Sequence, residues 1–342
     1  MLRELICIEP GTPARLSLRT RELPQPGAGQ VLVRVQATSV NPIDAKRAGG
    51  YGKRLLGLKG AGRFPLVVGN DLAGVVEEVG TGVARFEKGQ QVFGLVATGK
   101  SGGAHASHVL ASESNLVAAP AGSDLQMLAT LPYSFTTMWL AVRSTGLSAD
   151  NAASKRVLIS GASGALGRLA LALLNGWHSN ITAICDPGRC DDALALGARN
   201  AVERGTPAVT ALGPDFDAVL NFGAWESDPM LVAKLGPRAL GYATTVHPLM
   251  ANVDRHGWLR GAAASLRDFK TMKAAARARS GAATYAWTLF KPDRCALEAL
   301  EAGVRRGIYS LPVGIARPFE AAAAVFDHVA QGKPGRGVLL PQ

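Results

Sequence analysis

Three glycines spaced three residues apart, Gly161, Gly164 and Gly167, carry the clearest chemical signal in this sequence. A short apolar run at 157–159 precedes them and reads as a buried parallel strand, and an apolar helix follows over 166–174. Strand, glycine turn and helix start together make a phosphate cradle. The helix N-terminus presents unpaired N–H groups and a partial positive charge. Glycines permit the tight turn and let the backbone approach a phosphate closely. The flanking strand and helix turn a bare glycine pattern into a dinucleotide-binding expectation. The expected cofactor contacts on this turn are Gly161, Ser163, Gly164, Ala165, Leu166 and Gly167. About 155 residues precede it, so another domain comes first.

Asp186 ends the next expected strand, 19 residues beyond Gly167. That spacing suits a carboxylate accepting both ribose hydroxyls, which favours NAD(H) and repels a 2′-phosphate. Arg189 follows in the same loop and suits the phosphate instead. Further along, Asn221 and Gly223 end a fourth strand, and Thr245 and Val246 end a fifth. Ligands of a parallel sheet lie at such carboxyl ends, so these four residues join the candidate cofactor contacts.

The elements that must position these groups follow from length and patterning. At 342 residues the chain predicts two domains, each with its own core. Hydrophobic residues make 47% and charged residues 18%, a globular mix. No apolar run approaches the roughly 18 residues needed to span a bilayer. The N-terminal residues alternate as a first strand (Leu2, Glu4, Ile6, Ile8) and lack a signal-peptide core, which predicts a cytoplasmic location. Cys7, Cys185, Cys190 and Cys295 are scattered, without the spacing of a zinc site or a disulfide framework, and read as free thiols.

Residues 1–125 read as short strands between glycine turns, a compact β-barrel. From about 126 strands and helices alternate, with strands expected at 157–160, 181–185, 201–202, 218–222, 240–246 and 285–290 and helices at 166–176 and 190–196. Six strands in that rhythm match a doubly wound parallel sheet over 126–307. The tail, 308–342, contains a helix at 320–331 and a last strand at 338–340, and is expected to return to the barrel domain. The net charge is +11, concentrated at 46–63 and 255–279. These stretches read as solvated faces, as attractors of an anionic cofactor or substrate, or as nucleic-acid contacts. No RNA-binding motif supports the last.

A barrel followed by a dinucleotide fold resembles the medium-chain dehydrogenase/reductase superfamily, whose implied fold is α/β: a GroES-like β-barrel plus a Rossmann sheet, with the active site between them. The matching segments are Ser39-Val-Asn-Pro-Ile-Asp44, Gly69-Asn-Asp-Leu-Ala-Gly74, and Leu131-Pro132 followed by Thr137. Zinc members place Cys where Asn41 stands and His where Asn70 stands, and the stretch 94–103 holds no cysteine for a second zinc. Neutral amides bind zinc weakly. The resemblance therefore implies the zinc-free quinone-reductase branch. Within it, the segments 47–52, 131–133, 252–255 and 285–287 look most similar to the mitochondrial reticulon-interacting oxidoreductase group.

That resemblance implies an NAD(P)H-dependent reductase of a quinone or α,β-unsaturated carbonyl. Without a metal, a conjugated acceptor is the easier electrophile, because it delocalises the incoming hydride charge. Asn41 and Tyr51 are the expected donors to the acceptor oxygen; Asp44 is a candidate catalytic carboxylate, with a cap or turn acceptor as its other reading. Asn70 and Asp71 read as barrel structure, and Thr137 resembles the family threonine near the nicotinamide. Relatives commonly use NADPH, which favours NADP(H) here and leaves NAD(H) open. An enoyl-thioester reductase, with the basic 46–63 segment holding an acidic carrier or coenzyme A, is the competing enzyme. A cofactor-binding regulator or RNA-binding protein is the competing class. The family implies a homodimer through an exposed edge at 285–290; a monomer with that edge covered by 255–283 is the alternative.

Overall fold

The computed structural model describes residues 1–58, 60–96 and 102–341. Lys59 of the basic 46–63 stretch and residues 97–101 of the cysteine-free 94–103 stretch lie outside the described residues. Two compact units divide the chain: Met1–Tyr133 with Val253–Arg255 and Pro292–Gln342, and Ser134–Asn252 with His256–Lys291. These limits differ from the expected 125/126 and 307/308 boundaries. The helix Arg294–Arg305 explains one difference: it packs on the barrel strand Leu116–Ala118, and its buried face includes Leu297 and Leu300.

The first unit is strand-rich. Its larger sheet runs Val313–Pro318, Arg336–Leu340, Gln30–Val40, Asp71–Val79, Gln91–Leu95, Leu116–Ala118, with His108–Ser112 also paired to Gln30–Val40. Alternating Val31, Val33 and Val35 face a core shared with Leu72, Val76, Val92 and Leu116. A second sheet orders Leu16–Arg21, Leu2–Cys7 and Leu66–Val67. The tail does return here: Arg336–Leu340 pairs antiparallel with the end of Gln30–Val40. Its helix is Ala322–Ala330, shorter than expected, because the 3₁₀ turn Phe319–Ala321 takes the first residues.

The second unit carries a six-stranded parallel sheet in the order Asn200–Glu203, Asn180–Cys185, Arg156–Ser160, Ala218–Asn221, Gly241–Thr244, Thr284–Trp287. The order reverses beside Arg156–Ser160, the switch point where ligands bind in doubly wound sheets. The expected strand at 285–290 ends at Trp287 and does occupy the sheet edge. The stretch 247–283 contains the helix Leu249–Arg279, kinked at Gly257, where φ is +77°. Phe269 of this helix packs against Tyr285 and Trp287, and Met272 and Ala276 join the same core cluster.

Candidate functional site

The glycine turn divides two tasks among its three glycines. Gly161 has φ +78°, and a Cβ there would lie 2.8 Å from the Gly223 nitrogen. A Cβ on Gly167 would lie 2.3 Å from the Gly161 carbonyl oxygen, so the helix Ala165–Gly176 packs directly on the turn. Gly164 is the helix N-cap, and its Cβ position meets only the Gly161 oxygen, at 3.4 Å. The outer glycines thus serve packing and the middle one leaves open space on the turn. The first intrahelical bond runs from Arg168 N to Gly164 O at 2.9 Å. The preceding amides of Ala165, Leu166 and Gly167 have no carbonyl one turn back to bind. Three amides and a helix N-terminus beside an uncrowded glycine fit a pyrophosphate. Ser163 locks the turn to the next strand, its Oγ accepting from Asp186 N at 2.8 Å.

At the end of Asn180–Cys185 the two candidate residues have separate partners. Arg189 binds Asp192, through Nε at 2.8 Å and Nη2 at 2.7 Å. The guanidinium on Asp186 is that of Arg204, whose Nε donates to Oδ1 at 2.6 Å. Sequence reasoning missed Arg204. The signal was strand order: Cys185 pairs with Glu203 in parallel register, which sets 186 and 204 side by side. Both side chains are more than half exposed, at 55% and 69%, so the pair stays accessible.

At the next strand ends a buried carboxylate holds the architecture. Asn221, expected as a cofactor contact, is fully buried. Its amide donates to Asp228 Oδ1 (2.7 Å) and Ala224 O (2.8 Å), and its oxygen accepts from Gly223 N (3.0 Å). Asn221 therefore shapes the turn that presses Gly223 against Gly161, and its side chain is engaged within the protein. Asp228 also accepts from the hydroxyls of Tyr242 and Tyr285, the latter at 2.7 Å. Burial pushes the Asp228 carboxyl up, against these hydrogen bonds, and burial likewise holds both phenols above their ordinary range. Thr245 and Val246 are half-buried at the end of Gly241–Thr244, with Thr245 N donating to Asn221 O at 3.2 Å. Thr137 is buried on the helix Pro132–Ser144.

In the barrel unit, Asn41 caps the helix Pro42–Ala48, whose first residue is the helix-compatible Pro42. Its backbone N donates to Asp44 Oδ2 at 2.8 Å, and Gly69 N donates to Asp44 Oδ1 at 3.0 Å. Both oxygens of Asp44 thus serve backbone amides, the geometry of the cap reading. The Asn41 amide donates to Asp71 Oδ2 (2.7 Å) and Ser39 Oγ (3.1 Å), and its oxygen accepts from Arg336. Asn41 is 1% exposed, and both hydrogens of its amide are engaged within the barrel. Asp71 also accepts from Ser39 Oγ at 2.6 Å and Tyr133 N at 2.5 Å. Burial raises its pKa to about 6, with the hydrogen bonds and Arg336 opposing. Asn70 donates to Val96 O at 3.0 Å, in the barrel-structure role expected. Arg336, contributed by the tail, was not legible beforehand.

Tyr51 is half-buried, with Lys46 Nζ 5.8 Å from its ring centroid. Its phenol lies above the ordinary range, through burial first and the Asp254 charge second. Asp254 also anchors the loop, accepting from Gly52 N at 2.5 Å and Arg54 N at 3.3 Å. Gly52, at φ +75°, supplies the left-handed turn this approach needs. Two distant segments noted in the sequence, 47–52 and 252–255, thus form one constellation.

Known proteins share this architecture. The family model for the alcohol dehydrogenase GroES-like domain matches residues 27–121. The zebrafish (Danio rerio) protein named NAD(P)H oxidoreductase RTN4IP1, mitochondrial, is 30% identical over 330 residues, covering 92% of this chain and 84% of that protein. Its human (Homo sapiens) counterpart is 33% identical over 246 residues, 67% of this chain and 61% of that one, so the chain spans less than two thirds of the human relative. The solved quinone oxidoreductase from Coxiella burnetii aligns with a TM-score of 0.82 at 19% identity, covering 100% of this chain and 99% of that one.

Proposed function

Because the chain belongs to the medium-chain dehydrogenase/reductase superfamily, in its quinone oxidoreductase branch, we propose that it reduces a quinone or an α,β-unsaturated carbonyl with NADP(H) and without zinc. The observation that carries this reading is the glycine turn, where two packed glycines flank an open one at a helix N-terminus. The amides of Ala165, Leu166 and Gly167 would hold the pyrophosphate. Gly223, Thr245 and Val246, at the carboxyl ends of the two neighbouring strands, and Thr137 would complete the cofactor site. Arg204 supports NADP(H): it pairs with Asp186 and sets a guanidinium, the group that suits a 2′-phosphate, beside that carboxylate.

The bound nicotinamide supplies the hydride. A conjugated acceptor spreads the arriving charge, so a positioned hydrogen-bond donor suffices to stabilise the oxyanion. Tyr51 is the proposed donor, since its raised pKa keeps the phenol protonated across the physiological range. The zinc-free reading rests on donor chemistry: Asn41 and Asn70 are neutral amides, each bonded within the barrel.

The test follows NADPH and NADH oxidation at 340 nm against a benzoquinone, a naphthoquinone, an enone and a crotonyl thioester, with and without a chelator. Chelator-insensitive turnover of a quinone or the enone with NADPH is expected. Turnover of the thioester alone would replace the proposal with an enoyl reductase. Coenzyme binding without turnover, together with salt-sensitive RNA retention, would replace it with a binding role.

A homodimer belongs to the same proposal, supported by the edge strand Thr284–Trp287; light scattering should give about twice the chain mass of 35.6 kDa. Among the described residues no helix is long and apolar enough to cross a membrane. The names of the zebrafish and human relatives place those proteins in mitochondria; a cytoplasmic location is the one proposed for this chain. Imaging of a C-terminally tagged chain decides between the two.

A further inference from the structure

Arg47 ends the helix Pro42–Ala48, where a cation suits the helix dipole, yet it is only 6% exposed. Its Nη2 donates to Ala61 O at 3.0 Å, and its Nε is buried without a partner. Among the described residues no carboxylate lies within ion-pair distance of it. A buried guanidinium carries five donors and a full charge, and one carbonyl is poor compensation. Such a group calls for an anion.

Arg47 lines a cavity of about 100 Å³ whose other charged groups are Glu4, Arg19, Arg21 and Arg63. The strands build this face. Glu4 pairs with Arg19 across the antiparallel strands Leu2–Cys7 and Leu16–Arg21, and Arg21 follows two residues on, on the same face. Arg63 leads into Leu66–Val67, which flanks Leu2–Cys7 on its other side. Glu4 is already satisfied: Arg19 Nε and Nη2 donate to it at 2.8 and 2.6 Å, and Arg21 lies at 3.5 Å. Four guanidinium groups against one carboxylate leave three positive charges around a small cavity.

We propose that this cavity binds a phosphate dianion, either the free ion or the head of a phosphate monoester, at a site separate from the glycine turn. Guanidinium groups match the tetrahedral oxyanion with paired, charge-assisted hydrogen bonds. The volume admits a phosphoryl group and leaves the rest of a larger molecule outside.

The test is calorimetric titration of the full chain, saturated with NADPH, with inorganic phosphate at ionic strength balanced by chloride. One saturable site is expected. A double variant, Arg21→Ala with Arg63→Ala, should weaken it by roughly tenfold or more, while Arg204→Ala leaves it unchanged. Both replaced side chains are solvent-accessible, and an unaltered melting temperature in chloride certifies the fold. Phenyl phosphate competing with equal affinity identifies a monoester site; phosphate binding without that competition identifies a free-ion site. Absence of saturable binding, or wild-type binding by the double variant, overturns the proposal.

Discussion

Arg204 donates to Asp186 at 2.6 Å across the ends of two adjacent parallel strands. The carboxylate that would repel a 2′-phosphate is therefore held by a guanidinium that would attract one. Arg204→Ala should raise the KM for NADPH by roughly tenfold and leave that for NADH nearly unchanged. Asp186→Ser should shift the kcat/KM ratio toward NADPH. Steady-state kinetics with both coenzymes measure this, and an unchanged ratio in both variants would remove the pair from coenzyme selection.

Gly167 and Gly164 should respond differently to alanine. Gly167→Ala places a methyl group 2.3 Å from a backbone oxygen and should destabilise by about 1–3 kcal/mol or more. Gly164→Ala meets no such contact and should fold normally while binding coenzyme less tightly. Thermal melts and coenzyme fluorescence separate the two effects. Equal melting temperatures for the two variants would contradict the packing roles argued for the turn.

Tyr51→Phe deletes the proposed donor and retains the ring. A loss of about a hundredfold in kcat is expected, typical of a positioned proton donor. Since burial and Asp254 hold the wild-type phenol above its usual range, the wild-type rate should show no alkaline loss from this group below its ordinary pKa of about 10. Full activity in the phenylalanine variant would eliminate Tyr51 as donor.

Asp71 should make stability depend on pH in an uncommon direction. Its carboxyl titrates near 3.8 in the unfolded chain and at about 6 when buried. Between those values the folded state holds more protons, so stability is greater below pH 4 and falls as pH rises to about 6. The size is of order a few kcal/mol. Urea unfolding of wild type and Asp71→Asn at pH 4.5 and 6.5 reads the difference. Identical pH slopes would show that Asp71 titrates as an ordinary carboxylate.

Much of the fold was legible because its signals are local. Alternation predicted the barrel strands, and the apolar runs predicted all six parallel strands within a few residues at each end. The tail helix was misjudged at its start, because Phe319–Ala321 tightens into a 3₁₀ turn before Ala322. The helix Leu249–Arg279 is hard to read from sequence, because scattered charges and the internal Gly257 blur the helical period. For the site, the glycine turn was readable and the internal partners of the side chains were not. Asn41, Asp44 and Asn221 have the residue types of binding groups, yet each is buried among internal partners.

The sequence by itself determined the strand, glycine turn and helix of the second unit. Those demands are steric and local: Gly161 needs a positive φ, and Gly167 needs room for the backbone five and six residues before it. Only the tertiary structure decided which charges and amides meet. Arg204 reaches Asp186 from 18 residues away because two strands are neighbours in register. Arg336 reaches Asn41 across 295 residues because the tail pairs with Gln30–Val40. Short-range directional bonds depend on sheet order and register, and residue spacing along the chain encodes neither.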